Sequence, residues 1–329
     1  MAEQAASRRN VHVNGVDLRI TEQGSGPAVI LCHGFPELAY SWRHQLPALA
    51  AAGYRAVAPD QRGYGGSSRP ERVTDYGIEA LAGDLIALLD DLGEEQAVFV
   101  GHDWGALIVW DLALLHPERV RAVVGVSVPF IRWPMAPIQL LRMAAGDNFM
   151  YIVYFQDVGP AEKELEADPR RTMARTLWSV SGDFLASREG PEGPGGMVSP
   201  LPAEGTGFLT MMEDPPDPLP SWLTAADIHE FAAAFRTSGF FGPLSYYRNM
   251  DRNWEVTKDL AADRVAMPSM FIGGSLDPVI TGNPAALDAM KELLPDLRDV
   301  VIIPGAGHWT QQERPDEVNQ ALLAFLGGL

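Results

Sequence analysis

The sequence predicts an α/β fold in which a mostly parallel sheet is flanked by helices and a helical insertion interrupts the chain. Apolar runs of strand length alternate with helical stretches up to about residue 130 and again after about residue 260, while the segment between them lacks strand signals. Continuous apolar strands with helical crossovers are typical of parallel sheets buried on both faces. We therefore expect a core formed by residues 1–130 and 260–329, and a helical cap formed by residues 131–259.

The first half of the predicted core opens with a hairpin. Two short alternating runs at 11–13 and 18–21 flank Asn14 and Gly15, which both tolerate the positive φ of a tight hairpin turn. Further strands are predicted at 28–34, 54–60, 97–103 and 121–128. Helices are predicted to end near Gly53 and to span 78–92 and 105–116.

The predicted cap is rich in aromatic residues and methionine, and one irregular stretch interrupts its helices. Between residues 190 and 220 there are six glycines and eight prolines, which disfavour a helix or a central strand. We predict a long loop in this part of the cap. The βα pattern then resumes, with strands predicted at 268–274 and 299–305 and helices at 284–294 and 315–327.

Composition and charge are those of an ordinary globular protein. Of the 329 residues, 47% are hydrophobic and 21% are charged, and the net charge is −18. This charge repels nucleic-acid phosphates and anionic lipid heads, so we expect neither nucleic-acid nor membrane binding. Cys32 is the one cysteine, and no apolar segment has the length of a signal sequence or a membrane span. We therefore expect a cytoplasmic protein.

The pentapeptide Gly101-His102-Asp103-Trp104-Gly105 is the first candidate for chemistry. It lies where a predicted buried strand meets a helix. Its spacing is that of a nucleophile elbow, in which small flanking residues let a strained turn expose the middle side chain. Here the middle residue is an aspartate rather than a serine. The alternative interpretation is that Asp103 only caps the helix N-terminus.

Two further candidates follow predicted strands in the second half of the chain. Asp277 comes after the strand at 268–274, and His308 after the strand at 299–305. Each alone suits an ordinary turn or surface residue. Because loops after parallel strands open at the same edge of a sheet, we expect Asp103, Asp277 and His308 to meet there. Their order in the chain, nucleophile then acid then histidine, is that of the α/β-hydrolase fold.

A turn after the first predicted parallel strand can supply an oxyanion hole. The segment at 33–36, His-Gly-Phe-Pro, can aim the Phe35 backbone N–H into the site, where the Trp104 backbone N–H would join it. Such a turn also occurs for purely structural reasons. The glycine-rich run at 60–68 lacks the spacing of a dinucleotide loop, and the chain has no Walker A lysine. We predict no cofactor and no metal.

An aspartate nucleophile restricts the reaction type. A carboxylate that attacks saturated carbon forms an alkyl ester, which water can open at its carbonyl, whereas an ether formed by serine could not be hydrolysed in this way. His308, oriented by Asp277, would act as general base for that water. Suitable substrates are epoxides, alkyl halides and similar electrophiles.

The leaving group separates these substrates, because an opened epoxide is an alkoxide that needs a proton. Tyrosine phenols can donate one. The predicted cap contains two tyrosine pairs, Tyr151 with Tyr154 and Tyr246 with Tyr247. Neighbours on a helix point about 100° apart, so Tyr246 and Tyr247 cannot both face one pocket. For any single tyrosine, packing alone is the simpler interpretation.

Motifs along nearly the whole chain resemble those of the α/β-hydrolase-fold epoxide hydrolases, including the hydrolase domain of the mammalian soluble enzyme and its bacterial relatives. These motifs are HGFPELAYSW, PDQRGYGGSS, GHDWGALIVW, PERVRAVVGVSVPF, YFQDVGPAEKELE, SGFFGPLSYYRNMDRNWE and GAGHWTQQERPDEVNQ. The resemblance implies that Asp103 is the nucleophile, His308 the base and Asp277 its orienting acid. It also implies that Tyr151 and Tyr247 protonate the epoxide oxygen.

The resemblance further implies that Tyr154 and Tyr246 pack in or behind the pocket wall. The expected partners are water and a small, uncharged, apolar epoxide, and a homodimer is compatible with the family. No segment corresponds to the N-terminal phosphatase-like domain of the mammalian enzyme, so lipid-phosphate activity is not expected. The Gly/Pro-rich loop at 190–220 departs from the family pattern and leaves the substrate tunnel undefined.

Two other functions stay open at this point. A haloalkane dehalogenase shares the aspartate nucleophile and the tryptophan after it, but Phe35 stands where many of those enzymes have a halide-binding asparagine. A non-catalytic, hydrolase-like ligand-binding protein is expected to have lost part of the triad or of the tyrosine pair. This chain has all of these residues.

Overall fold

A central sheet organises the structure, a computed structural model that describes residues 5–188 and 198–329. The strands in these residues are β1 (Ser7–Val13), β2 (Val16–Gly24), β3 (Ala28–Cys32), β4 (Arg55–Pro59), β5 (Ala97–His102), β6 (Val120–Val126), β7 (Asn148–Met150), β8 (Val198–Pro202), β9 (Ser269–Gly274) and β10 (Leu297–Ile303). The central sheet has eight of them in the order β1-β2-β4-β3-β5-β6-β9-β10. Strand β2 is antiparallel to β1 and β4, and the other neighbours are parallel. The predicted α/β class with a mostly parallel sheet is confirmed.

The hairpin at the sheet edge is confirmed as well. Asn14 and Gly15 adopt φ values of 47° and 76°, the left-handed region that their side chains tolerate. Val13 pairs with Val16 across this turn, which sets the register of β1 on β2.

Helices cover both faces of the sheet. Those in the described residues are α1 (Gln45–Ala51), α2 (Ile78–Leu92), α3 (Trp104–Leu115), α4 (Pro137–Ala145), α5 (Tyr151–Tyr154), α6 (Pro160–Glu166), α7 (Pro169–Ser179), α8 (Gly182–Ala186), α9 (Ala225–Ser238), α10 (Phe241–Arg248), α11 (Met250–Thr257), α12 (Pro278–Thr281), α13 (Ala285–Leu293), α14 (Thr310–Glu313) and α15 (Pro315–Leu326). Side chains of a strand alternate between the two faces. Val98 and Val100 of β5 pack with α1 and α15, while Phe99 packs with α2 and α3.

Residues 127–268, between β6 and β9, form what we call the insertion, which carries α4–α11 and the ribbon of β7 and β8. Its aromatic residues Phe231, Phe235 and Tyr247 belong to the same buried cluster as α2 and α3. The insertion is therefore packed against the sheet layer through one continuous apolar core.

The prediction that residues 190–220 form a loop without a strand is wrong for residues 198–202. These residues form β8, which pairs antiparallel with β7 in a two-stranded ribbon. A two-stranded ribbon leaves one edge of each strand unpaired, so the prolines at 200 and 202 need not break a ladder on both sides. A single 3₁₀ turn follows at Phe208–Met211. The part of the prediction at 190–197 lies outside the described residues.

The topology brings distant parts of the chain to one edge. The loops after β3, β5, β9 and β10 all leave the carboxyl ends of parallel strands, where open α/β sheets bind ligands. Within residues 5–188 and 198–329, no helix has the length and apolar character needed to cross a membrane.

Candidate active site

Asp103 lies on a strained turn between β5 and α3. Its φ is 52° and its ψ is −115°, a conformation that non-glycine residues rarely adopt. The two flanking positions have no room for a side chain, so both must be glycine. A Cβ on Gly101 would lie 2.1 Å from the Gly105 carbonyl oxygen, and a Cβ on Gly105 would lie 2.0 Å from the Cys32 carbonyl oxygen. Among the described residues, the Asp103 side chain makes no capping bond to α3. Asp103 thus occupies the N-cap position of α3 without capping the helix through its side chain, so the interpretation that it only caps the helix is wrong.

The Asp103 carboxylate is held by the turn after β3. The Phe35 backbone N–H donates to Asp103 Oδ1 at 2.8 Å. Gly34 permits this approach, because a Cβ there would lie 2.4 Å from the Asp103 Cβ. In the described part of the chain, no matching hydrogen bond joins the Trp104 N–H to this carboxylate, so its place in the oxyanion hole stays a prediction.

His308 lies between the two aspartates. Its Nδ1 is 3.2 Å from both Oδ1 and Oδ2 of Asp277, and its Nε2 is 3.6 Å from Asp103 Oδ2. Asp277 is fully buried and also accepts a hydrogen bond from the Val279 N–H at 2.9 Å. The His308 backbone N–H donates to the Val180 carbonyl of the insertion at 2.9 Å. The structure thus brings the three predicted triad residues together.

Two carboxylates set the protonation of His308. Burial opposes the charged imidazolium, but the charges and hydrogen bonds of Asp277 and Asp103 outweigh it and raise the pKa of His308 well above its usual value. With both aspartates ionised, the imidazole therefore carries a proton at neutral pH.

Two of the four candidate tyrosines face this group. The rings of Tyr151, on α5, and Tyr247, on α10, are 6.0 Å apart, and the Tyr247 ring contacts Trp104 at 5.0 Å and Phe35 at 5.3 Å. Burial and the Asp103 charge raise the pKa of both phenols above the usual value, while a hydrogen bond with Trp104 acts in the opposite direction on Tyr247. Both phenols are therefore neutral hydroxyl donors at physiological pH.

The other two tyrosines are engaged elsewhere. The hydroxyl of Tyr246 is fully buried and donates to the Arg62 carbonyl at 2.9 Å. Tyr154 hydrogen-bonds with Glu164, and burial together with this carboxylate raises its pKa. Neither hydroxyl is oriented toward Asp103.

His102 and Glu37 form a buried ion pair beside the triad, which was not expected from the sequence. His102 Nδ1 lies 2.5 Å from Glu37 Oε2, and His102 Nε2 lies 2.8 Å from the His308 carbonyl oxygen. Both neighbours are acceptors, so the doubly protonated imidazolium satisfies them. Burial acts to raise the pKa of Glu37, but the charge and hydrogen bond of His102 lower it to about 2.

Glu37 also joins the oxyanion turn to the histidine loop. It accepts hydrogen bonds from the Gly34 N–H at 2.9 Å and from the side-chain amides of Gln311 and Gln312 at 3.0 and 3.1 Å. The one available signal for this role was a histidine at the end of one apolar strand and a glutamate in the loop after another, since charged residues are rarely buried without a partner.

Glu313 is a second positioning residue that sequence reasoning missed. Its carboxyl accepts backbone hydrogen bonds from Gly182 at 2.8 Å, Gly307 at 2.9 Å and Trp309 at 3.0 Å. Burial raises the pKa of Glu313 to about 7, against the effect of these N–H donors. Glu313 therefore links Gly182 of the insertion to Gly307 and Trp309, the two residues that flank His308.

Comparisons with known proteins agree with this geometry. Residues 27–152 match a family described as having the alpha/beta hydrolase fold. The chain is 50% identical to epoxide hydrolase A of Mycobacterium tuberculosis over 99% of this chain and 98% of that protein. It is 40% identical to the bifunctional epoxide hydrolase 2 of Sus scrofa, over 95% of this chain and 53% of that protein.

Solved structures give the same assignment. The crystal structure of epoxide hydrolase A from Mycobacterium thermoresistibile matches with a TM-score of 0.89 at 48% identity, over 99% of both chains. An epoxide hydrolase from an endophytic Streptomyces matches with a TM-score of 0.93 at 43% identity, over 99% of this chain and 96% of that chain. This chain belongs to the epoxide hydrolases of the α/β-hydrolase fold.

Proposed function

We propose that this enzyme converts epoxides and water to vicinal diols through a covalent alkyl ester on Asp103. One arrangement carries the proposal. The Asp103 carboxylate accepts the Phe35 N–H and lies 3.6 Å from His308, and burial together with the Asp103 charge raises the pKa of the Tyr151 and Tyr247 phenols, which keeps them neutral. A carboxylate nucleophile beside two proton donors suits the opening of an epoxide ring.

In the first step, an Asp103 oxygen attacks one epoxide carbon and the carbon–oxygen bond of the ring breaks. We assign the attack to Oδ2, because Oδ1 already accepts the Phe35 N–H. The alkoxide takes a proton from Tyr151 or Tyr247. The raised pKa of each phenol keeps its proton in place until a stronger base, the alkoxide, is formed.

In the second step, water attacks the carbonyl carbon of the ester. Ester formation removes the Asp103 charge, which is one of the two charges that raise the pKa of His308. Loss of that charge lets the buried imidazolium give up its proton, which restores the phenol that was deprotonated in the first step. The neutral imidazole, oriented by Asp277, then takes a proton from the attacking water as general base. Negative charge develops on Oδ1, where the Phe35 N–H, joined in our proposal by the Trp104 N–H, stabilises it. Collapse of this intermediate breaks the bond between the Asp103 carbonyl carbon and Oδ2. The departing alkoxide takes the proton that His308 removed from water, and the diol is released with Oδ2 while the water oxygen stays on Asp103.

The cap proposed for residues 131–259 would supply the proton donors and much of the apolar wall. Phe208 contacts Tyr151 at 5.7 Å, and Phe155 contacts Tyr247 at 5.1 Å and Phe35 at 5.6 Å. These aromatic neighbours favour an uncharged, apolar substrate.

A direct comparison of two substrates tests this function. We expect styrene oxide to give its diol with a kcat/KM at least about a hundredfold above that for halide release from 1-bromohexane, because the phenols serve an alkoxide and not a halide. Asp103→Ala should abolish both reactions and serves as the control for contaminating activity. Faster halide release than diol formation would identify a haloalkane dehalogenase instead.

A further inference from the structure

The loop that carries His308 is held by the end of helix α7 in the insertion. The last four carbonyls of an α-helix have no partner within the helix. At the end of α7, the Leu177 carbonyl accepts the indole N–H of Trp309 at 2.8 Å. Just beyond the helix, the Val180 carbonyl accepts the His308 backbone N–H at 2.9 Å. Two consecutive residues of the loop after β10 are therefore hydrogen-bonded to the insertion.

The two backbones approach too closely for side chains at this contact. A Cβ on Gly182, the first residue of α8, would lie 2.0 Å from the Gly305 carbonyl oxygen. A Cβ on Gly307 would lie 2.3 Å from the Gly182 nitrogen, whose N–H donates to Glu313 Oε2 at 2.8 Å. Because backbone packs on backbone here, a displacement of the insertion also displaces the loop of the proposed general base.

Trp309 links this contact to the imidazole of His308. Trp309 is fully buried, and its ring lies edge-on to the His308 ring, with 4.9 Å between the ring centres and 72° between the ring planes. Its backbone N–H donates to Glu313 Oε1 at 3.0 Å. The indole and the backbone of Trp309 are thus held by different groups, and the ring supports one side of the imidazole.

The nucleophile is positioned by other elements. Asp103 lies between β5 and α3, and its Oδ1 accepts the N–H of Phe35 from the turn after β3. These three elements lie outside the insertion. The distance of 3.6 Å from His308 Nε2 to Asp103 Oδ2 therefore depends on how the insertion packs against the loop of His308.

We propose that Trp309, held by the end of α7, is a positioning residue for the general base, and that it acts on ester hydrolysis rather than on ester formation. This rests on the function proposed above. During ester formation His308 is protonated and transfers no proton, so a small displacement changes the attack by Asp103 little. During hydrolysis the imidazole must reach a water beside the ester carbonyl, and a displacement of about 1 Å there lowers the rate by about a hundredfold.

Trp309→Phe tests the proposal, because it keeps an aromatic ring beside His308 and removes the N–H that binds the Leu177 carbonyl. Single turnovers with enzyme in excess over styrene oxide are quenched in acid, and mass spectrometry follows the ester on the Asp103 peptide and the diol. The two time courses together give the rates of ester formation and hydrolysis. We expect hydrolysis to slow by at least about tenfold and formation to change by less than about threefold, so that the ester accumulates.

Trp222→Phe is the matched control, because the Trp222 indole N–H donates to Asp183 Oδ2 at 3.1 Å within the insertion. Both rates should stay within about twofold of those of the unaltered enzyme. Gly182→Ala tests the same contact from the side of the insertion, since its Cβ displaces the Gly305 carbonyl. It should slow hydrolysis selectively, as Trp309→Phe does.

Equal slowing of both steps in Trp309→Phe, no slowing, or selective slowing of hydrolysis in Trp222→Phe would overturn the proposal. Circular dichroism checks that each variant is folded, and Gly182→Ala decides by the same criterion if Trp309→Phe does not fold. The absence of an ester in every protein, the unaltered enzyme included, would refute the function on which the proposal rests. An ester that forms and decays with both rates lowered together would refute the positioning role alone.

Discussion

At the scale of single residues, Asp103 combines a strained backbone with a carboxylate that its surroundings hold in place. A non-glycine residue at φ 52° is unfavourable by about 1–3 kcal/mol. The buried strand and helix on either side maintain this conformation, and Gly101 and Gly105 make room for it. The strain thus brings the carboxylate above the sheet edge, where the Phe35 N–H and His308 lie.

The two phenols give the first prediction at this scale. Tyr151→Phe and Tyr247→Phe should each lower kcat for an epoxide by about tenfold, and the double variant by about 10²–10⁴, because the alkoxide then lacks its proton donors. Steady-state kinetics on styrene oxide, with circular dichroism as a folding check, provide the measurement. Full activity in the folded double variant would show that other groups protonate the epoxide oxygen.

Tyr246→Phe is the matched control, since Tyr246 is the neighbour of Tyr247 on the same helix. Its hydroxyl donates to the Arg62 carbonyl. Removal of that bond should lower the free energy of unfolding by about 1–3 kcal/mol because the carbonyl loses its partner, while kcat stays unchanged.

At the scale of secondary-structure elements, the pair of Glu37 and His102 joins three loops that meet at the sheet edge. Glu37 contacts the turn after β3 through Gly34 and the loop after β10 through Gln311, and His102 holds the His308 carbonyl. These contacts fix the position of the general base relative to the nucleophile without touching the substrate.

Glu37→Gln should therefore act on both stability and turnover. It leaves the buried His102 cation without its counter-charge, which should lower the free energy of unfolding by about 3 kcal/mol. A small displacement of His308 should lower kcat by about tenfold to a hundredfold with little change in KM. Glu118→Gln provides the control, because Glu118 pairs with His116 at 3.6 Å on the exposed surface and its loss should change stability by less than about 1 kcal/mol. Equal effects of the two substitutions would refute a positioning role for Glu37.

Glu313 leads to a prediction about pH. Its folded-state pKa of about 7 lies above the ordinary value of 4.5, so the folded state binds this proton more tightly than the unfolded chain. The stability it contributes is present below pH 4.5 and is lost as the pH rises through 7, by roughly 3 kcal/mol. We expect the free energy of unfolding, measured with urea between pH 5 and pH 7.5, to fall more steeply with pH in the unaltered protein than in Glu313→Gln. Parallel pH profiles would contradict this account, since the other titrating groups are common to both proteins.

At the scale of the whole molecule, the parallel sheet brings residues from four distant parts of the chain together. Phe35, Asp103, Asp277 and His308 each follow a strand whose apolar run is visible in the sequence. Two facts were sufficient to predict this convergence: the spacing of apolar residues reveals the strands, and the loops that follow parallel strands lie at the same, carboxyl-terminal edge of the sheet. The sequence also predicted the hairpin at Asn14 and the helical character of the insertion.

Other features of the fold and of the site were not predicted, because they depend on burial and on pairing between distant segments. The local pattern of residues in the sequence does not reveal either. The pairing of β8 with β7 is set by contact across about 50 residues, and it overrode the unfavourable proline content of that segment. Glu37 and Glu313 each lie near recognisable motifs, but only the folded chain reveals that they are buried and which backbone groups they bind.

The central claim is that Asp103 forms an alkyl ester and that water attacks the ester carbonyl. A single turnover in ¹⁸O-labelled water, with enzyme in excess over an epoxide, tests it directly when the Asp103 peptide and the diol are analysed by mass spectrometry. Because the attacked carbon belongs to the aspartate, we expect the label in the Asp103 peptide and an unlabelled diol. A labelled diol with an unlabelled Asp103 peptide would mean direct attack of water on the epoxide and would contradict the covalent mechanism.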